Sequence, residues 1–291
     1  MELTEKMIDL HCHTKISDCS FTTEEVISIA EQKGVTHLAI TNHDTTSGLS
    51  EAAEIGMALG ITIIPGIEIS AFDFTRGNRA HILGLYVTPG HEAISELCQP
   101  LIEQRNKASQ LMVRILIEAG YDLSWDEVEE LAAGGTGVYK QHIMHALLKK
   151  GYTNSIYGTL YKKLFSKGSN EKERGMAYIP IEYVSAEDAI KAIRRAGGIP
   201  VLAHPGQFHN FDAVEEWVQL GLEGIEVNHP LHNQTDRIKA GHLAERFNLI
   251  QTGGSDFHGF YSDTQSEIGA FAADQVEFDK LIARKDRMLK L

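Results

Sequence analysis

Histidines and carboxylates recur in this chain at the ends of short apolar runs, and that recurrence limits the folds open to it. Met7-Ile8-Asp9-Leu10-His11 reads as a strand, with His13 two residues on and therefore on the same face as His11. Asp18 follows in the next loop. His43 ends the strand His37 to Thr41 with Asp44 beside it, Glu68 lies near the end of Ile61 to Ile69, and His81 lies on Ala80 to Val87. Later, His204 ends Ile199 to Ala203, while Asp256 and His258 follow Leu249 to Thr252. Helical patterns separate these runs: Thr23 to Lys33, Leu49 to Leu59, Ser185 to Ala196, Asp212 to Leu220 and Gln234 to Phe247. Thr22-Thr23-Glu24-Glu25 supplies a capping box for the first, and Gly34 stops it. Repeated strand–helix units imply an α/β fold on a parallel sheet. The number of strand candidates in 291 residues favours closing that sheet into a barrel.

From about Cys98 to Met176 the rhythm changes and only helical spacing remains, with Leu101, Leu111, Ile115 and Leu116 on the first helix. Gly134-Gly135-Thr136-Gly137 reads as a flexible stretch before a second helix at Gln141 to Lys150. The expected organisation is a barrel from residues 1–98 and 177–291, with a helical insertion at 99–176 over its mouth.

Composition removes several classes of function. No apolar run approaches the roughly 18 residues of a membrane span, and Met1 to Asp9 holds Glu2, Glu5 and Asp9 rather than an apolar leader, so the expected location is cytoplasmic. Cys12, Cys19 and Cys98 show no paired spacing, which argues against a disulfide framework or a zinc knuckle. A net charge of −13 argues against a polyanion-binding surface and against stable binding of duplex nucleic acid. It leaves room for a nucleotide or short oligonucleotide held locally by cations.

The chemistry lies in the nine residues His11, His13, Asp18, His43, Glu68, His81, His204, Asp256 and His258. Imidazole and carboxylate without thiolate suit zinc, manganese or iron. Tetrahedral zinc takes about four ligands, so this set is large enough for two or three divalent ions. Ions so grouped activate water and neutralise charge developing on a phosphoryl group, which points to phosphoester hydrolysis.

The runs Asp9-Leu10-His11-Cys12-His13-Thr14, Ser17-Asp18 and Ala39-Ile40-Thr41-Asn42-His43-Asp44-Thr45 resemble the opening of the polymerase-and-histidinol-phosphatase (PHP) family. Gly66-Ile67-Glu68-Ile69-Ser70, His81-Ile82-Leu83-Gly84, Ala203-His204-Pro205-Gly206 and Gly254-Ser255-Asp256-Phe257-His258-Gly259 extend the resemblance along nearly the whole chain. Within the family, the insertion and the Ala-His-Pro-Gly form are most similar to the nucleotide phosphatase and 5′→3′ exoribonuclease branch. The resemblance implies a distorted (β/α)₇ barrel and up to three ions, often manganese, iron or zinc. His11, His13, Glu68 and Asp256 match the ligands of one ion and hold the attacking hydroxide. Glu68 with His81 and His204 matches a second, and Asp18, His43 and His258 a third. The implied substrate is a small phosphorylated molecule, a 3′,5′-bisphosphonucleoside or a short oligonucleotide.

Four positions depart from the family pattern. Asn42 stands where relatives carry Asp, which removes a charge that would orient a ligand from behind, next to Asp44. Gln207 stands where relatives of this branch carry Arg, and Lys140-Gln141-His142 where they carry Arg-Pro-His. Forked guanidinium grips are thereby replaced by a point charge and by an uncharged amide. Lys140 and His142, with Arg105 and Arg114 on the first long helix of the insertion, are the candidate substrate contacts. Three other functions compete: a histidinol-phosphate phosphatase, a metal-dependent amidohydrolase and a non-catalytic regulatory barrel. An amidohydrolase usually needs a bridging lysine, and the core strands carry none. A regulatory barrel predicts lost ligands, and all nine are present.

Overall fold

The computed structural model describes residues 6–288, so the outer ends of the expected barrel segments and most of the N-terminal stretch lie outside the described residues. The chain begins with β1 (Ile8–Asp9), α1 (Thr23–Gln32), β2 (His37–Ile40), α2 (Leu49–Leu59), β3 (Thr62–Asp73) and β4 (Asn78–Leu85). Four helices follow: α3 (Glu92–Glu118), α4 (Trp125–Leu131), α5 (Lys140–Lys149) and α6 (Thr159–Phe165). The sheet resumes with β5 (Val184–Ser185), α7 (Ala186–Arg195), β6 (Ile199–Leu202) and α8 (Pro205–Phe208). Then come α9 (Val214–Gln219), β7 (Gly224–Asn228), α10 (Gln234–Phe247), β8 (Ile250–Gly253) and α11 (Gln275–Met288).

Local chemistry explains the boundaries. Thr22 accepts a hydrogen bond from the Glu25 backbone, and the Glu25 carboxylate accepts one from the Thr22 backbone at 2.8 Å, closing the expected capping box on α1. Gly60 ends α2 with φ 74°, where a side chain would be strained.

The strands run in the order β1-β2-β3-β4-β6-β7-β8, with β5 beside β3. Parallel contacts from Cys12 to Phe257, together with Leu10 N–H donating to the Gly253 carbonyl at 3.0 Å, close the ring into a distorted seven-stranded barrel. The sheet is not wholly parallel, as the strand–helix rhythm had suggested. β4 pairs antiparallel with both β3 and β6. Only Phe74 to Gly77 separate β3 from β4, far too few for a crossover helix, so the two must form a hairpin.

Ile8, Leu10, Ala39, Ile64, Leu83, Leu85, Val201 and Ile250 fill the barrel interior, and α11 seals its lower end with Phe278 and Leu281. A larger cluster packs α1, α2, α7 and α10 on the outside of the sheet. The helices α3 to α6 share a cluster of their own, built on Met112, Val113, Leu116, Ile143, Leu147 and Leu164, which meets the barrel at Tyr261. The glycine stretch 134–137 is docked rather than loose. Thr136 N–H donates to the Ile16 carbonyl at 2.8 Å, and Gly135 packs so closely on Lys15 and Ile16 that a methyl group would meet their carbonyl oxygens. Among the described residues no helix is long and apolar enough to cross a membrane.

Candidate metal centre and active site

The barrel gathers all nine predicted ligands around one carboxylate, that of Glu68. Glu68 sits inside β3 and is buried, on the same face as the interior residue Ile64. Its Oε1 lies 2.8 Å from His81 Nδ1 and 2.9 Å from His204 Nε2. Its Oε2 lies 3.2 Å from His11 Nε2, 3.1 Å from His13 Nε2 and 3.3 Å from His43 Nδ1. His81 reaches this point from the middle of β4 because β4 is antiparallel, with Leu83 and Leu85 below it on the same interior face.

Asp256 completes one side. Its Oδ1 is 3.2 Å from His11 Nε2 and 3.1 Å from His13 Nε2. On the other side, Asp18 Oδ1 lies 3.3 Å from His258 Nε2 and 3.8 Å from His13 Nδ1, and Asp18 Oδ2 lies 3.9 Å from His43 Nε2. His258 Nδ1–H donates to the Asp256 carbonyl at 2.8 Å, which turns its Nε2 toward Asp18. His204, Asp256 and Asp44 adopt φ of 25°, 49° and 60°, strained values for non-glycine residues that concentrate at this site.

Several atoms of the cluster find no hydrogen-bond partner. Asp18 Oδ1, Asp256 Oδ1, His43 Nδ1 and His204 Nδ1 are buried with no hydrogen-bond donor. Four ligand atoms of His11, His13, Glu68 and Asp256 converge, as do those of His13, Asp18, His43 and His258 and those of His43, Glu68 and His81. Ligands about 2.0–2.1 Å from a tetrahedral ion lie roughly 3.3 Å apart, close to the separations around His11 and His13. Lone pairs held this close repel unless cations lie among them, so the residues fit a metal cluster.

Within the cluster the carboxylates and histidines shift one another. Burial works against ionisation of Asp18, but His258 and His43 outweigh it and hold the carboxyl far below its ordinary range. Glu68 and Asp256 are lowered in the same way, chiefly by His43 and His11 respectively. Burial pulls His43 down to about 4, whereas Asp18 and Asp256 overcome burial at His258 and raise it to about 10.

Two residues outside the predicted set lie directly behind the cluster. Glu226 on β7 is buried with an oxygen 3.2 Å from His11 Nδ1, and His229 is buried with Nε2 3.4 Å from Asp256 Oδ2. Glu226 falls mid-strand in Gly224 to Asn228, where no spacing marks it as facing a histidine. The Asn42 backbone carbonyl accepts from Glu68 N–H at 3.2 Å, but its side chain bonds to no ligand. It accepts from Thr14 N–H at 2.8 Å and from the Ser17 hydroxyl at 3.0 Å, and so shapes the loop that carries Asp18. Asp44 accepts from Ser70 N–H at 2.7 Å and from Arg105 at 2.6 Å, which clamps β3 two residues beyond Glu68.

A cavity of about 380 Å³ opens onto the cluster, lined also by Arg79, Gln141, Tyr157, Tyr161, Gln207 and Phe208. A side cavity of about 150 Å³ adjoins it through Asp18, His43, Arg79, His81, Gln141 and Tyr161, and adds Ser70, Arg105, Tyr139 and Lys140. Lys140 is half-buried, and burial with Arg79 and Arg105 nearby lowers its pKa to about 8. Gln141 donates to Asp18 Oδ2 at 3.0 Å, so helix α5 touches the cluster itself.

The other two candidate contacts sit elsewhere. Arg114 is exposed on α3 and lines neither cavity. His142 points into the helical cluster, where its Nδ1 accepts from Tyr139 N–H at 3.0 Å and its ring packs edge-on against Tyr261. Both were placed by helical position or by motif, and neither criterion reports which way a helix turns its face. Arg79, on the antiparallel strand β4, was missed because it lies outside every motif.

Comparison with known proteins agrees with this geometry. Residues 9–159 match the PHP domain. The chain is 45% identical over 251 residues to the phosphoribosyl 1,2-cyclic phosphate 1,2-diphosphodiesterase of Eggerthella lenta, covering 86% of this chain and 94% of that one. It is 31% identical to the 3′,5′-nucleoside bisphosphate phosphatase of Chromobacterium violaceum, covering 86% and 87%. A solved structure from Bifidobacterium adolescentis, described as a metal-dependent phosphoesterase, superposes with a TM-score of 0.85 at 27% identity over 96% of each chain. The chain belongs to the PHP domain family, as a metal-dependent hydrolase of phosphate esters.

Proposed function

We propose that this enzyme hydrolyses an ester of a small ribose phosphate that carries a second phosphate group. The observation that supports it is the pair of adjoining cavities, one lined by the histidine–carboxylate cluster and the other by Lys140 and Arg79. Only like charges act on Lys140, and Arg79 forms no ion pair among the described residues but lies over the Tyr183 ring at 5.1 Å. Two cations without carboxylate partners favour an anionic guest.

On this reading two or three divalent ions of manganese, iron or zinc are held by His11, His13, Glu68 and Asp256, by Glu68, His81 and His204, and by Asp18, His43 and His258. When bound, they supply Lewis acidity toward the phosphoryl group and toward the attacking water. The chain's own residues position the substrate. Lys140 and Arg79 hold the second phosphate, while Arg105, already paired with Asp44, steadies the wall of that cavity. Burial raises the pKa of the Tyr161 hydroxyl to about 12, so it remains a hydrogen-bond donor toward a phosphate oxygen. Residues 99–176 act as the lid that brings Lys140 and Gln141 over the cluster. Three buried, unpaired cysteines are consistent with a cytoplasmic setting.

The sequence motifs favour the nucleotide form of the substrate, a 3′,5′-bisphosphonucleoside or short oligonucleotide. A second form, a phosphoribose bearing a 1,2-cyclic phosphate, is favoured by the 45% identity to the Eggerthella lenta protein. The test is turnover under Mn²⁺ or Zn²⁺ of both forms, a 5′-phosphorylated dinucleotide, histidinol phosphate and the matching monophosphates. We expect the doubly phosphorylated riboses to exceed the monophosphates by about tenfold or more in kcat/KM. Equal turnover of the monophosphates, or preference for histidinol phosphate, would rule the proposal out.

A further inference from the structure

Behind the metal-facing side of the cluster lies a second layer of polar contacts, made by Glu226 and His229. Glu226 Oε2 accepts from the backbone N–H of His204 at 2.8 Å, and its Oε1 lies 3.2 Å from His11 Nδ1. His229 Nδ1 accepts from the backbone N–H of Leu231 at 3.2 Å, which leaves its proton on Nε2, facing Asp256 Oδ2 at 3.4 Å. Glu226, His11 and His229 are fully buried, so no water competes at the Glu226–His11 contact.

We propose that Glu226 and His229 are positioning residues for the ion held by His11, His13, Glu68 and Asp256. Glu226 keeps the His11 proton on Nδ1, so that Nε2 offers its lone pair to the ion. His229 holds Asp256 Oδ2, so that Oδ1 is the oxygen turned toward it. This rests on the metal-site reading above.

An ionised carboxylate only accepts, and a backbone N–H only donates. Oε2 takes the His204 N–H at 2.8 Å, Oε1 is the oxygen nearer His11 Nδ1 (3.2 Å against 3.4 Å from Oε2), and the donor in its reach is His11 Nδ1–H. A neutral ring protonated there has its lone pair on Nε2, the atom 3.2 Å from both Glu68 and Asp256. Glutamine at 226 reverses this with almost no change in volume. Its carbonyl oxygen must stay with His204 N–H, because that donor cannot change. Its NH₂ group then faces His11 Nδ1, which has to accept. The ring proton moves to Nε2 and blocks the ligand atom.

Two measurements test the proposal. Long-range ¹H–¹⁵N NMR of the Zn²⁺-loaded wild-type protein reads the state of His11, and Zn²⁺ titration against a competing chelator reads affinity. We expect a proton on Nδ1 with zinc-shifted Nε2 in the wild type. In Glu226→Gln we expect zinc affinity to fall by roughly 10- to 100-fold with native circular dichroism, and in His229→Phe a smaller fall of the same sign. A wild-type His11 that ligates through Nδ1, or Glu226→Gln binding zinc as tightly as wild type, overturns the proposal. Should Glu226→Gln fail to fold, the wild-type spectrum decides alone. A wild-type chain that binds neither Zn²⁺ nor Mn²⁺ defeats the metal reading instead, and that outcome is separate because affinity is measured without any substrate.

Discussion

At the scale of single residues, Lys140 carries more of the substrate reading than the arginine expected beside it. Arg105 is a stronger cation, but its charge is met by Asp44 at 2.6 Å and its ring neighbour is Tyr139. Lys140 forms no ion pair among the described residues and lies against the Phe165 and Tyr178 rings, and burial with Arg79 and Arg105 nearby brings its pKa to about 8. The ammonium is therefore present below pH 8 and lost above it. For a doubly phosphorylated ribose, kcat/KM should fall as pH rises through about 8, and Lys140→Met should remove that limb of the profile. The same variant should raise KM by about 10- to 100-fold, the worth of one charge-assisted hydrogen bond, with kcat changed far less. A pH–rate profile of both proteins checks this, and an unchanged alkaline limb in Lys140→Met contradicts it.

At the scale of elements, the site depends on how closely two chain segments approach. β8 is followed by Gly254, and a methyl group there would lie 2.3 Å from His11 Cβ and 2.5 Å from His11 N. Those atoms belong to the segment that closes the barrel and presents a ligand, so neither can yield without moving the other. Gly254→Ala should cost about 1–3 kcal/mol of stability, the usual range for overpacking, and should also weaken metal binding. Urea unfolding with parallel metal analysis reads both effects. A wild-type midpoint would show that the closure is looser than the contacts imply. The elements themselves were largely legible: α2 and α10 fall on their predicted ranges, since cap residues and periodic apolar positions lie next to one another in the chain. The β3–β4 hairpin broke the parallel expectation because strand direction depends on loop length more than on strand composition.

At the scale of the whole molecule, an acidic chain has concentrated several histidines and carboxylates in one buried place, and cations are what make that arrangement favourable. Ions that bind only the folded state stabilise it by mass action, about 2.7 kcal/mol at a hundredfold excess over Kd. Stripping the protein with a chelator should lower its melting temperature by several degrees, and Mn²⁺ or Zn²⁺ should restore it. In Asp256→Asn the restoring effect should be smaller, because one ligand is shared by the His11 and His13 position. Calorimetry of stripped and reloaded protein measures this, and a melting temperature indifferent to metal would count against a cluster that holds the barrel closed.

The sequence by itself determined the α/β class, the nine ligand candidates and the phosphoester chemistry, because ligand types at strand ends are local patterns that a linear chain displays. It could not reveal that Glu226 meets His11 across the barrel, that Arg79 borders both cavities, or that His142 turns inward while Lys140 lines the side cavity. Each of those depends on which face an element presents to a partner distant in sequence. Only packing of the closed barrel against α3 to α6 decides it, through contacts whose energy comes from burial rather than from any motif.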